Sequence, residues 1–268
     1  MVIDNIADNW WESKGGFFGD LYAKADNSFE GFLNSPADLD ARTKEEVEGV
    51  VKLCGLNEGD PIMDCPCGYG RHSIALTLAG FKVTGVDINN EHLAIAKRMA
   101  NEVGADTLNI VTQDMRSLDK KEEFNAVINM FYSFGFFKDE SDDVLSLQNF
   151  YNSLKPGGKF LMHTFITLPK IRRGDYKTHE IRTLKDNDKL ELYREYNEET
   201  KREDGEWSIL KTDGTKESLA PYSMRIYTDK EFIEMCDKVG FSKVDVYGDW
   251  AGEPYKDESE LMIVVATK

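Results

Sequence analysis

The run Asp64-Cys65-Pro66-Cys67-Gly68-Tyr69-Gly70-Arg71-His72 constrains the fold more than any other part of the chain. It lies between a short apolar run, Pro61-Ile62-Met63, and a helix-patterned one, Ser73-Ile74-Ala75-Leu76-Thr77-Leu78-Ala79. A strand, a glycine turn and a helix in that order build the nucleotide-sized crevice of an α/β sheet. Gly68 and Gly70 carry no Cβ, so the backbone can turn sharply and approach a ligand closely. A second apolar run, Phe81-Lys82-Val83-Thr84-Gly85-Val86, ends in Asp87. A carboxylate at the end of a second strand is placed to accept hydrogen bonds from both ribose hydroxyls. A nucleoside cofactor is the first reading.

The residues that are missing narrow the choice of nucleoside. A dinucleotide site reads Gly-x-Gly-x-x-Gly and keeps the helix N-terminus clear of acids so that it can hold a pyrophosphate. Here Ser73 stands at the third glycine position, and Asp64 closes the strand before the turn. That carboxylate repels phosphate and suits a cation such as a sulfonium or an ammonium.

Further segments continue the alternation of strand and helix. Residues 108–115 read as a third strand ending in an acid, with Asp114 placed to take a hydrogen bond from an exocyclic amine. Residues 124–130 read as a fourth strand, and residues 142–154 repeat apolar side chains at a helical period. Lys155-Pro156-Gly157-Gly158 breaks that helix and leads into a fifth strand, residues 159–165. With these motifs in order, the chain resembles the class I S-adenosylmethionine-dependent methyltransferases. Asp64-x-x-Cys67-Gly68-x-Gly70-Arg71, Val86-Asp87, Gln113-Asp114-Met115 and Leu154-Lys155-Pro156-Gly157-Gly158 carry the resemblance, over about residues 42–168. Residues 241–247 and 261–266 look like that fold's closing pair of strands.

The resemblance implies a Rossmann-like seven-stranded sheet, mostly parallel with its last strand antiparallel. It implies S-adenosylmethionine as cofactor and S-adenosylhomocysteine as product. Asp87 would bind the ribose, Asp114 the adenine amino group, and the Met115 amide the adenine ring. Gly68 and Gly70 would let the methionine part lie against the loop, with Asp64 organising the loop and the ammonium end; Cys67, Ile88 and Asn129 fall in the same cofactor site. Tyr22 and Arg42, before the first strand, would reach the methionine carboxylate. Cys65-Pro66-Cys67 departs from the small residues common at that turn in the family, and Pro66 fixes its backbone.

On the acceptor side, the carboxyl ends of parallel strands face the crevice. That places residues 129–137 and 163–165 beside the acceptor, with Tyr132 a candidate contact and His163 the candidate general base, since imidazole titrates near neutrality. His72 is expected to pack or cap, and His92 and His179 to lie at the surface. Cys65 and Cys67 are one residue apart, too close for the usual zinc spacing, so no metal is expected.

A net charge of -16 argues against a general affinity for nucleic acid, which needs lysine and arginine to displace phosphate counterions. No apolar run is long enough to span a membrane, and Asp4, Asp8 and Glu12 leave no apolar signal core. A cytoplasmic monomer or homodimer acting on an oxygen or nitrogen of a small molecule is the leading expectation. An RNA or protein methyltransferase, or a non-catalytic nucleoside binder, is the alternative.

Four segments are expected. Residues 1–50 form an aromatic-rich helical cap (Trp10, Trp11, Phe17, Phe18, Tyr22, Phe29, Phe32), with Thr43 and Glu46 spelling a capping box at the start of a helix. Residues 51–168 hold the cofactor core. Residues 169–226 are a strand-rich lid inserted after the fifth strand, with alternation at residues 190–196 and turn signals at Asp204-Gly205 and Asp213-Gly214. Residues 227–268 return to the core, through a helix that starts at Thr228 and stops at Gly240.

Overall fold

The computed structural model describes residues 10–12, 16–27, 36–131, 133–184 and 186–268; Phe29, Phe32 and Tyr132 lie outside the described residues. In chain order the elements are α1 (Asp20–Asn27), α2 (Pro36–Cys54), β1 (Pro61–Asp64), α3 (Arg71–Leu78), β2 (Lys82–Asp87), α4 (Asn90–Val103), β3 (Asn109–Thr112), β4 (Phe124–Asn129), α5 (Glu140–Ser153), β5 (Leu154–Thr164) and α6 (Leu168–Arg173). They continue with β6 (His179–Thr183), β7 (Lys189–Asn197), β8 (Arg202–Leu210), β9 (Lys216–Ser218), β10 (Tyr222–Arg225), α7 (Asp229–Val239), β11 (Lys243–Tyr247) and β12 (Met262–Thr267). The chain divides into two compact units, one of residues 1–42, 134–138 and 171–226, the other of residues 43–133, 139–170 and 227–268.

The larger unit is built on a seven-stranded sheet in the order β11-β12-β5-β4-β1-β2-β3. β1, β2, β3, β4 and β5 run parallel, while β12 is antiparallel to both β5 and β11. The expected sheet, with its last strand reversed, is therefore present. Its central strands are apolar because both faces are covered. Ile62, Val127, Ile128, Leu161 and Ile263 are all fully buried, and each such side chain stabilises the fold by about 1.5–3 kcal/mol. Val50 and Leu53 of α2 pack into one core cluster with Ile62, Leu76, Ile128 and Trp250. Phe150 of α5 and Phe232 of α7 both stack on Phe160 of β5, at 5.5 and 6.4 Å between centroids.

Helix ends follow local chemistry. Asn89 caps α4 by accepting from the Glu91 and His92 amides. Thr228 and Glu231 form the expected capping box of α7, and Gly240 ends that helix at a φ of 108°. The capping box expected at Thr43 and Glu46 is not one. α2 begins at Pro36, so both residues lie inside the helix, where their side chains face the first turn of α3.

The smaller unit carries an antiparallel sheet in the order β10-β8-β7-β6, with β9 paired to β8. Alternation shows in β7, where Leu190 and Leu192 are buried and Tyr193 is 41% exposed. Leu190, Leu192, Ile209, Leu184 and Ala25 of α1 make its apolar cluster. Asp213-Gly214 turns as expected, with Gly214 at a φ of 86° and its amide donating to the Lys211 carbonyl. Asp204-Gly205 does not turn: both residues sit inside β8, opposite Glu195 and Arg194 of β7. The chain reverses instead after Asn197, whose Oδ1 accepts from the Glu199 and Thr200 amides. Gly205 is bare for a different reason, since a Cβ there would sit 2.3 Å from the Tyr222 ring.

Candidate active site

From β1 the chain steps to β2 and β3 on one side, then crosses back to β4 and β5 on the other. Ligands of open α/β sheets bind where the order reverses, beyond the carboxyl ends of the strands. Asp64, Asp87, Asn129 and His163 stand at or next to those ends.

The turn after β1 is fixed on both sides. The Cys65 amide donates to the Ile128 carbonyl at 3.0 Å and the Cys67 amide to the Val86 carbonyl at 2.9 Å. Asn129 donates from Nδ2 to the Cys65 carbonyl at 3.0 Å and accepts at Oδ1 from the Ser133 amide, so its side chain ties the turn to the loop after β4. Asp87 accepts the Gly68 amide at Oδ2 and the Asn89 amide at Oδ1, both at 2.8 Å. One carboxylate thus joins the glycine turn to the cap of α4, and Ile88 is the residue between. The two glycines serve different ends. A Cβ on Gly70 would come 2.9 Å from the Ala96 methyl, so that glycine lets α4 approach. A Cβ on Gly68 would meet nothing within 4 Å, so its backbone faces open space.

Asp64 is wholly buried, yet only half satisfied. Its Oδ2 accepts the Ser73 hydroxyl at 2.6 Å, while its Oδ1 has no hydrogen-bond partner. Burial pushes this carboxyl up to about 7; Ser73 opposes the shift and the nearby Asp87 charge adds to it. Burial also raises Asp87, against the pull of the Asn89 and Gly68 amides. Burial holds the Cys65 and Cys67 thiols well above their ordinary value, so both are neutral sulfhydryls at pH 7. Among the described residues, no group of three or more His, Cys, Asp or Glu side chains is arranged to hold a metal ion.

Asp114 follows β3, close to Asp87 in the chain path because the Gln113 amide donates to the Asp87 carbonyl at 3.0 Å. Arg116 occupies the Asp114 carboxylate from three nitrogens, with its backbone amide, Nε and Nη2 all donating. Partial burial alone would raise this acid, but the Arg116 contacts outweigh it and hold it below the usual carboxylate range. Met115 is buried, and its carbonyl accepts from Asn149 at 3.1 Å. Tyr22 and Arg42 belong to the smaller unit. There Tyr22 stacks on Trp207 at 5.6 Å and packs against Phe17 and Phe18.

His163 is fully buried, its ring 5.3 Å from Phe131 edge-on and 5.0 Å from Trp250. That environment supports a packing role over proton transfer. His163→Ala is expected to lower stability by about 2–4 kcal/mol, as loss of a large buried ring does, with near-normal turnover in the folded fraction. Turnover against pH alongside thermal melting checks this. A stable variant slowed by roughly 10²–10⁴-fold would instead make His163 the base.

Of the other histidines, His179 is half-exposed and stacks on Tyr193 as expected of a surface residue. His92 is buried at 6% exposure, edge-on to Tyr69 at 6.0 Å, which corrects its expected surface position. His72 packs as expected and meets Glu46 at 2.8 Å. Arg71 donates to the same Glu46 at 2.6 Å and to Thr43 at 2.8 Å, and its guanidinium lies 5.0 Å from the Phe131 ring centroid. This buried cluster anchors the helix that follows the turn. No local sequence signal points to it, since its members are at least 25 residues apart across the α2–α3 gap.

A family described as "Methyltransferase domain" matches residues 62–158, the stretch that holds the turn, Asp87 and Asp114. The chain carries a class I S-adenosylmethionine-dependent methyltransferase domain. The glycine/sarcosine N-methyltransferase of Aphanothece halophytica is 29% identical over 248 residues, covering 89% of each chain. That of Halorhodospira halochloris is 27% identical over 247 residues, covering 89% of this chain and 88% of the relative. Solved methyltransferase structures share the fold. An S-adenosylmethionine-dependent methyltransferase structure from Clostridium acetobutylicum superposes with a TM-score of 0.73 over 92% of this chain and 99% of that one, at 16% identity. CalS10, an amino pentose methyltransferase from Micromonospora echinaspora solved with S-adenosylmethionine bound, superposes with a TM-score of 0.66 over 99% of both chains, at 16% identity. The methyltransferase has no helix, among the described residues, that is long and apolar enough to cross a membrane.

Proposed function

We propose that this methyltransferase moves a methyl group from S-adenosylmethionine to the nitrogen of a small amine, leaving S-adenosylhomocysteine. The likeness to two glycine/sarcosine N-methyltransferases carries this reading. It covers 89% of the chain, a span too long to leave out residues 171–226 as a block. A net charge of -16 favours a small acceptor over RNA.

The chain's own groups fit the cofactor. Asp87 retains acceptor capacity for the ribose hydroxyls beyond its two amide bonds, and Gly68 has open space beside its Cα for the methionine part. The unpartnered oxygen of Asp64 supplies a counter-charge for the ammonium. Asp114 and the Met115 amide serve the adenine, with Arg116 orienting the Asp114 carboxylate. Cys67, Ile88 and Asn129 shape the turn around these groups. The cofactor supplies a methyl already activated on a positive sulfur, so the protein's task is to orient the acceptor and exclude water. A neutral amine brings its own lone pair and needs positioning more than a base. Cofactor binding is assigned to the larger unit, and acceptor selection to residues 169–226.

Incubating the protein with methyl-labelled S-adenosylmethionine and a panel of glycine, sarcosine, an amino sugar and a hydroxyl acceptor tests the reading. Label in the amines, with little in the hydroxyl compound, is expected. Label confined to the hydroxyl compound, or to added RNA, would contradict it.

A further inference from the structure

We propose that Asp64 is a proton-exchange site: it holds a proton in the ligand-free protein and releases it when a cationic ligand arrives beside its unpartnered oxygen, so that cofactor affinity rises with pH. The inference rests on the cofactor reading above and adds the coupling of binding to protonation.

The geometry separates Asp64 from Asp87. Asp87 is met by two backbone amides at 2.8 Å, which offset part of the burial that raises it. Asp64 is met by the Ser73 hydroxyl at 2.6 Å, with weaker help from the Ser73 amide and the more distant Arg71 charge, and its other oxygen is buried without a donor. A buried ionised carboxylate in that state lacks the hydrogen bonds that would offset its desolvation. The charged and titratable groups around it do not supply them. On β2 stands Asp87, of like charge, with His92 of α4 beside it. In the turn stand the neutral thiols of Cys65 and Cys67. From α3 comes Arg71, whose guanidinium is already bound to Glu46 and Thr43, while His72 shares the same Glu46. β4 contributes Ile128 opposite Asp64 in register, which does not titrate.

The sign follows from linkage. An acid raised from 3.8 to about 7 is largely protonated below neutrality. A ligand ammonium next to it favours the ionised form, so binding below that pH expels one proton into solvent. Apparent affinity then falls about tenfold for each pH unit below the group's value and levels off above it. The same shift makes the ligand-free fold lose stability as pH rises from about 4 to about 7, because the unfolded chain gives up this proton first.

Two ligands isolate the effect. S-adenosylhomocysteine carries the amino-acid ammonium, whereas methylthioadenosine shares the nucleoside but has no charged tail. Calorimetric titration of the whole protein with each, from about pH 5.5 to 8.5 in buffers of different ionisation heat, counts the protons released. S-adenosylhomocysteine should release close to one proton below neutrality and weaken about tenfold per pH unit there, while methylthioadenosine binds alike throughout. Asp64→Asn should flatten the S-adenosylhomocysteine profile. A carboxylic C=O stretch that disappears when S-adenosylhomocysteine binds should be present in the native protein and absent from the variant. S-adenosylhomocysteine binding that is independent of pH, or a slope that persists in a folded Asp64→Asn protein, would overturn the inference alone. Failure of both ligands to bind at any pH would overturn the cofactor reading and this inference with it.

Discussion

Asp87→Ala is expected to weaken S-adenosylhomocysteine binding by about 1–3 kcal/mol, the loss usual when charge-assisted hydrogen bonds to a ligand disappear. At the upper end that is roughly a hundredfold in Kd. The side chain has two tasks. It pins the Gly68 amide, so that the turn after β1 keeps its path, and it pins the Asn89 amide, so that the cap of α4 is held in line. Removing it takes away the ribose acceptor and loosens both segments at once. Stability should respond less than affinity, because burial raises this carboxyl and part of the lost bonding is offset by relief of that cost. Titration of the variant alongside its thermal melt separates the two effects. Unchanged affinity in a folded Asp87→Ala protein would remove this residue from the cofactor site.

Gly205→Ala should disrupt the antiparallel unit severely, by about 2–5 kcal/mol, combining overpacking with the loss of a buried hydrogen bond. The added Cβ would meet Tyr222 Cε1 and Cζ at 2.3 Å and its hydroxyl oxygen at 2.5 Å. Tyr222 cannot yield cheaply, since its hydroxyl donates to Glu203 at 2.6 Å and its ring packs 4.5 Å from Phe17. Glu203 is itself fully buried, with Oε1 accepting from Tyr176 and Tyr222 and Oε2 without a partner. Displacing Tyr222 leaves that carboxylate with a single donor. If acceptor selection belongs to this unit and cofactor binding to the other, turnover should collapse while S-adenosylhomocysteine affinity stays near its native value. Turnover and affinity measured on the same preparation decide the point. Equal loss of both in a variant whose core still melts cooperatively would contradict the division.

The cofactor turn was legible because its cause is local. A short apolar strand, two glycines and a helix-patterned run define the segment within twenty residues, and Asp64 and Asp87 lie where strands end. The reversed last strand and the capping box at Thr228 were legible for the same reason. What sequence alone misread depends on partners far along the chain. Asp204-Gly205 has turn chemistry, but its glycine answers to a tyrosine from β10. Thr43 and Glu46 have cap spacing, but they hold Arg71. His92 looks polar and free, yet its position next to the Asn89 cap turns it inward against Tyr69. Arg116 is two residues from Asp114, near enough to have been read as its partner, since an acid that caps a short turn readily collects a nearby arginine.

Calorimetric titration of the native protein with S-adenosylhomocysteine and, separately, with NAD tests the central claim most directly. Asp64, at the end of β1 beside the glycine turn, favours a cationic group there and disfavours a pyrophosphate, while Asp87 and Asp114 suit a ribose and an adenine. Binding of S-adenosylhomocysteine with a Kd on the order of micromolar, a free energy of about −8 kcal/mol, is expected, with no heat from NAD. Tight binding of NAD with no response to S-adenosylhomocysteine would contradict it.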